Sequence, residues 1–169
     1  MSTPGRQNRE VAMIEAYCDG CCEPMNPGGT AAYGAVILKD GKQIWSDSRI
    51  FRPIKGHEKE TSNNVAEYLG FQAILLYLLK EGLNEETITV RGDSRLVICQ
   101  MFVACGYRKK WRILDGYYIQ IAQRCKELLT RFPRIRGEWI PREQNVLADE
   151  LSKAQLKRAG IKFRIQPEK

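Results

Sequence analysis

The chain has 169 residues, 43% hydrophobic and 28% charged, the balance of one ordinary globular domain with a core of its own. This excludes wholesale disorder, collagen-like repeats and small disulfide scaffolds, and no apolar run nears the roughly 18 residues that cross a bilayer. Lys and Arg number 27 against 20 Asp and Glu, a net charge of +7, and a small basic protein suits a polyanionic partner such as nucleic acid.

Residues 1–10 (MSTPGRQNRE) are polar, lack the apolar stretch of a secretory leader, and read as a flexible tail. The expectation is a cytoplasmic, monomeric protein with no membrane contact, and its six cysteines then read as reduced thiols rather than a disulfide framework. Residues 11–18 (VAMIEAYC) form an apolar run closed by Asp19-Gly20, a buried strand ending in a turn. A Pro/Gly-rich loop, CCEPMNPGGT, follows. Residues 32–39 and 43–51 flank Asp40-Gly41, a strong hairpin signal. Residues 52–61 are a polar connection holding the only histidine, His57.

Ser62-Asn63-Asn64 supplies helix-capping side chains, and Val65, Leu69, Ala73, Leu76 and Leu79 recur near helical spacing until Gly82. Residues 87–91 (TITVR) read as a strand ending at Gly92-Asp93-Ser94. Leu96, Val97, Met101 and Phe102 mark a short helix broken near Gly106. Residues 113–132 read as a longer helix with Ile113, Tyr117, Ile121, Cys125 and Leu128 on one stripe. Residues 136–140 suit a last strand, and residues 145–159 a final helix. The domain is thus expected over 11–159, with 160–169 a basic C-terminal tail. The order β-β-β-α-β-α-α-β-α predicts an α/β domain that begins antiparallel and continues with strands parallel to the first.

Four carboxylates occupy unusual places in this layout. Asp19 and Asp93 end strands, and ligand sites in α/β sheets form beyond the carboxyl ends of parallel strands. Glu67 lies in the first turn of its helix. Asp149 sits among Val146, Leu147 and Leu151 of the last helix. Each has an ordinary reading alone, as a turn residue, a helix-terminus charge or a helix flank. Oxygen-only ligands suit hard cations such as Mg²⁺ or Mn²⁺, and four ionised carboxylates share one crevice only if cations offset their repulsion. The Cys18-x-x-Cys21 pair has zinc or redox spacing, but no second pair follows to complete a structural zinc site.

Taken together, CDG, SNNVAEYLG, GDSRLVICQM and NVLADEL, in this order and on these elements, resemble the type 1 ribonuclease H family across about residues 12–155. The resemblance implies the ribonuclease H-like fold, a five-stranded mixed sheet of order 3-2-1-4-5 with helices on both faces. It also implies an endonuclease that hydrolyses the RNA strand of RNA–DNA hybrids. Its metal-binding carboxylates would be Asp19, Glu67, Asp93 and Asp149, holding two Mg²⁺ ions, with Mn²⁺ an alternative. Two metals about 4 Å apart would activate water and stabilise the leaving 3′ oxygen, and the expected products carry 5′-phosphate and 3′-hydroxyl ends.

The resemblance also points to substrate contacts. Asn63 and Asn64 match asparagines that bond the hybrid in its minor groove. Asn26 and Gly28 belong to an N-P-G-G turn that can approach the ribose 2′-hydroxyl, and Gly20, Ser94 and Asn145 flank the carboxylates. Arg108, Lys109, Lys110 and Trp111, within YRKKWR, read as a phosphate-binding patch with an aromatic platform.

Two departures from the family stand out. The stretch WIPREQN before Asp149 lacks the histidine many members carry there, as in a subgroup with a shortened loop, and His57 lies too early to replace it. Glu143 is the first candidate to take that place and Arg142 the second. Residues 101–113 are too few for the long basic protrusion of some members. The alternatives are another nuclease on the same fold and a catalytically weak module that binds hybrid or double-stranded RNA.

Overall fold

A computed structural model describes residues 10–102 and 116–164. The strands are β1 (Met13–Glu23), β2 (Thr30–Lys39), β3 (Lys42–Ile50), β4 (Thr87–Gly92) and β5 (Ile135–Trp139). The helices are α1 (Asn63–Lys80), α2 (Arg95–Met101), α3 (Ile119–Leu129) and α4 (Val146–Arg158), with single 3₁₀ turns at Glu58–Glu60 and Arg142–Gln144. The sheet order is β3-β2-β1-β4-β5, as the resemblance implied. β1 pairs antiparallel with β2 and parallel with β4, and β5 runs parallel to β4.

β2 is buried along almost its whole length because both faces are covered, which is why TAAYGAVILK reads as a continuous rather than alternating apolar run. β3, one of the two edge strands, is largely polar and exposed, a composition that discourages pairing with another sheet. The hairpin between them turns on Asp40 and Gly41 at φ 49° and 81°, the left-handed pair that matches strand twist.

On one face, Ile14, Ala16, Cys18, Tyr33, Ile37, Ile88 and Val90 meet Tyr68, Phe71, Ile74, Leu75 and Leu78 of α1 and Ala122, Cys125 and Leu128 of α3. On the other face α4 lies against β2, β1 and β3, burying Ala148, Ser152 and Leu156. Among the described residues no helix is long and apolar enough to cross a membrane.

Several boundaries differ from expectation. β1 does not stop at Asp19-Gly20: its antiparallel pairing with β2 carries it on to Glu23, opposite Thr30. Only residues 24–29 of the expected loop lie outside strands, and Asp19 is mid-strand, just beyond the last parallel pair, Tyr17 and Arg91. The buried side of α1 is Tyr68, Phe71, Ile74, Leu75 and Leu78, while Leu76 of the expected stripe is 46% exposed. α1 is apolar nearly all round, so periodicity does not select its inner face; the sheet does. α3 begins at Ile119, placing Tyr117 before the helix, and Ile113 lies outside the described residues. Cys18, Cys21, Cys22 and Cys125 are free thiols, but Cys99 is disulfide-bonded, so the expectation of six reduced cysteines fails there.

Candidate active site

Three carboxylates converge where the parallel ladder ends. Asp19 projects from the middle of β1, Asp93 follows the last residue of β4, and Glu67 comes from the first turns of α1. One oxygen of each lies within 4.8 Å of the others. Asp19 and Glu67 are buried, and Asp93 is half-buried.

Glycines allow this approach. A Cβ on Gly20 would lie 2.4 Å from the Glu67 backbone nitrogen, so only glycine lets the start of α1 rest on β1. Gly34 stands opposite Asp19 in the β1–β2 register, and a Cβ there would lie 2.3 Å from the Ala148 carbonyl oxygen. α4 therefore lies flat on β2, and the Ser152 hydroxyl sits between the Asp149 carbonyl oxygen at 2.8 Å and Asp19 Oδ2 at 3.2 Å.

Asn145, buried at the start of α4, donates from Nδ2 to the Cys18 carbonyl at 2.9 Å and to Asp93 Oδ1 at 3.1 Å. It ties the helix to β1 and orients a carboxylate; its assignment from the resemblance was to substrate. The Trp139 indole donates to the Asp93 carbonyl at 3.0 Å, and the Arg95 guanidinium lies 4.1 Å over the Trp139 ring.

The electrostatics follow from crowding. Burial, then the charges of Asp93 and Asp149, push the Asp19 carboxyl up to about 7. Burial, then Asp19 and Asp93, push Glu67 well above the carboxylate range. Glu67 Oε2 is buried without a hydrogen-bond partner. A buried acceptor of this kind, beside two more carboxylates, fits a hard divalent cation.

Asp149 lines the same cleft outside this trio. Its oxygens accept from Arg142 Nη2 at 3.3 Å and Lys153 Nζ at 2.8 Å. Burial raises its carboxyl, but the Lys153 hydrogen bond and charge, then Arg142, outweigh burial and hold it below its ordinary value.

The cleft holds about 480 Å³ and is also lined by Gly20, Asn26, Asn63, Asn64, Ser94 and Arg95. Asn26 and Asn63 are joined to each other: Asn26 Nδ2 donates to Asn63 Oδ1 at 2.8 Å, and the Asn63 backbone N–H donates to Asn26 Oδ1 at 3.1 Å. Ser94 caps α2 by accepting from the Val97 N–H at 3.3 Å. Gly28, at φ +100°, bonds Thr61 through its N–H at 2.7 Å.

Glu143 is exposed on its 3₁₀ turn and is not among the residues lining the cleft, whereas neighbouring Arg142 is. Arg108, Lys109, Lys110 and Trp111 lie outside the described residues. Lys153, four residues after Asp149 on α4, was missed; the i,i+4 spacing of opposite charges was the available signal. The Cys18-x-x-Cys21 pair does not chelate, because an extended strand turns residues three apart to opposite faces. Cys18 packs in the core against α1, and Cys21 donates to the Ser152 carbonyl on α4 at 3.4 Å.

A family profile described as Reverse transcriptase-like matches residues 17–155. The chain belongs to this ribonuclease H-like family. It is 33% identical over 128 residues to the bifunctional protein Rv2228c of Mycobacterium tuberculosis, covering 75% of this chain and 31% of that protein. The chain thus spans about a third of the length of the curated relatives it matches.

The N-terminal RNase H domain of Rv2228c, solved as a maltose-binding-protein fusion, superposes with TM-score 0.71 and 27% identity, covering 89% of this chain and 97% of that one. RNase H1 from the halophilic archaeon Halobacterium salinarum gives TM-score 0.68 and 28% identity, covering 86% and 98%. LC11-RNase H1, solved in complex with an RNA/DNA hybrid, gives the same values. Family and neighbours together mark this as a ribonuclease H-type domain.

Proposed function

We propose that this protein hydrolyses the RNA strand of RNA–DNA hybrids. The observation that carries the reading is the convergence of Asp19, Glu67 and Asp93 around the unpartnered Glu67 oxygen. These three would hold a divalent cation, Mg²⁺ or Mn²⁺, and Asp149 would join them for a second. Bound there, the cations supply activation of water and charge stabilisation at the leaving 3′ oxygen, with 5′-phosphate and 3′-hydroxyl products.

The chain's own residues do the positioning. Ser152 and Asn145 fix the orientation of Asp19 and Asp93. Lys153 and Arg142 keep Asp149 ionised beside them. Arg95, held over Trp139, sets positive charge on the cleft wall where a phosphodiester would pass. Asn64 and the joined Asn26 and Asn63 offer amides toward the minor groove of a hybrid, and Arg108, Lys109, Lys110 and Trp111 would grip its backbone. The hybrid bound to LC11-RNase H1 supports this substrate class.

The test is incubation with end-labelled RNA–DNA hybrid, double-stranded DNA and double-stranded RNA, with Mg²⁺ or with EDTA. Cleavage of the RNA strand of the hybrid only, lost in EDTA, is expected, with fragments bearing 5′-phosphates. Equal cleavage of double-stranded DNA, or activity unaffected by EDTA, refutes the reading.

A further inference from the structure

The cleft has two walls of different origin. Asp93, Ser94, Arg95 and Leu96 line it from the β4 side. From the β1 side it is lined by Cys21, Cys22 and Glu23, by Lys153, and by Phe163 and Arg164 from beyond α4. The latter two come from a stretch that reads in the sequence as a basic tail outside the domain.

The chain is turned back into the cleft at the end of α4. Gly160, at φ +72°, donates to the Lys157 carbonyl at 3.1 Å, and Ile161 donates to the Leu156 carbonyl at 3.0 Å, the reversal typical of a helix closed by a left-handed glycine. Arg164 then docks on the end of β1. Its backbone N–H and its Nε donate to Glu23 Oε2 at 2.9 and 3.1 Å, and its Nη2 donates to the Cys22 carbonyl at 3.0 Å and to Glu23 Oε1 at 3.4 Å. Glu23 is 8% exposed. An exposed ion pair contributes little, but this guanidinium fork engages a buried carboxylate that would otherwise lack its partner.

Glu23 is also the base of the loop that carries Asn26. That loop folds tightly on it: a Cβ on Gly29 would lie 2.3 Å from the Met25 carbonyl oxygen and 2.6 Å from that of Glu23. Asn26 in turn meets Asn63 at the start of α1. A continuous path thus runs from Arg164 through Glu23 and residues 24–29 to the asparagines lining the cleft.

We propose that Arg164 is a positioning residue for substrate: its clamp on Glu23 fixes the loop bearing Asn26 and sets Phe163 as part of the wall against which the nucleic acid lies. The substrate half of this inference rests on the hybrid-hydrolysis reading. The clamp itself does not.

The experiment compares Arg164→Ala, Arg164→Lys, Glu23→Gln and the Arg164→Ala/Glu23→Gln double variant with wild type in the full chain. Steady-state cleavage of hybrid and backbone amide exchange are measured on each. Breaking one charge-assisted contact should raise KM for hybrid about tenfold in Arg164→Ala, with kcat changed by less than about twofold. Glu23→Gln should match it, the double variant should be no worse than either single one, and Arg164→Lys should recover part of the loss. Amides of residues 22–29 should exchange faster, while those in the middle of α1 keep their protection. A global loss of structure would instead speed exchange everywhere and lower kcat with it.

Unchanged exchange at residues 22–29 overturns the clamp. An unchanged or lowered KM in Arg164→Ala overturns the substrate role, a lowered value meaning that the segment obstructs the cleft. If wild type neither binds nor cleaves hybrid, the functional reading fails and the substrate role with it, and the exchange data still decide the clamp.

Discussion

Replacing Asp19 by asparagine should make the metal-free protein more stable while destroying its activity. The carboxyl is 5% exposed, and burial with the neighbouring charges of Asp93 and Asp149 moves it from its ordinary 3.8 to about 7. At about 1.4 kcal/mol for each tenfold change in proton affinity, an ionised Asp19 costs the fold about 4 kcal/mol. Asn145 and Ser152 remain to bond their partners, and Asp93 and Glu67 still face each other, so the expected gain is roughly 2 to 4 kcal/mol. For a domain of this size that is roughly 4–16 °C in Tm.

The sign sets the pH window. The unfolded chain releases this proton near 3.8 and the folded chain near 7, so wild-type stability falls as pH climbs between them and levels off above. Asparagine does not titrate. The gap between variant and wild type should therefore open from about pH 4 and be complete above pH 7. Urea unfolding followed by circular dichroism at pH 4.5, 6 and 8.5 in EDTA measures it. Saturating Mg²⁺ should then reverse part of the difference, because a ligand at about a hundred times its Kd stabilises wild type by about 2.7 kcal/mol and the variant has lost a ligand. Equal or lower stability of Asp19→Asn at pH 8.5 in EDTA, or near-normal cleavage by it, refutes the reasoning.

Gly34→Ala should cost about 1–3 kcal/mol in urea unfolding, since its Cβ would meet the backbone of Ala148 and Ser152 rather than a side chain able to move. Cleavage should fall with it as α4 shifts Asp149, and wild-type values for both would show that α4 does not rest on this glycine. In the loop before Asp149, Arg142→Ala should slow turnover about ten- to a hundredfold by removing a cation at the reacting charges, more than Glu143→Gln does. The reverse ranking in single-turnover assays would return the role of the missing histidine to Glu143.

The sequence alone determined the element order and put forward four carboxylates as candidates. Both are written in short local patterns: Asp40-Gly41 forces its hairpin, Ser62 and Ser94 cap their helices, and CDG, SNNVAEYLG, GDSRLVICQM and NVLADEL each carry an acid at a set place on its element. Where each strand stops was not local. Asp19-Gly20 is a turn pair by composition, yet the antiparallel partner strand holds it extended through Glu23.

Only the tertiary structure decided which side of the apolar α1 faces inward, because a helix greasy all round takes its orientation from the sheet. The same holds for the inward role of Asn145, the two cations on Asp149 and the docking of Arg164. Glu23 and Arg164 are separated by 141 residues, and no periodicity or spacing rule links groups that far apart. Their contact exists because the closing turn of α4 and the extra length of β1 bring both to one edge of the cleft.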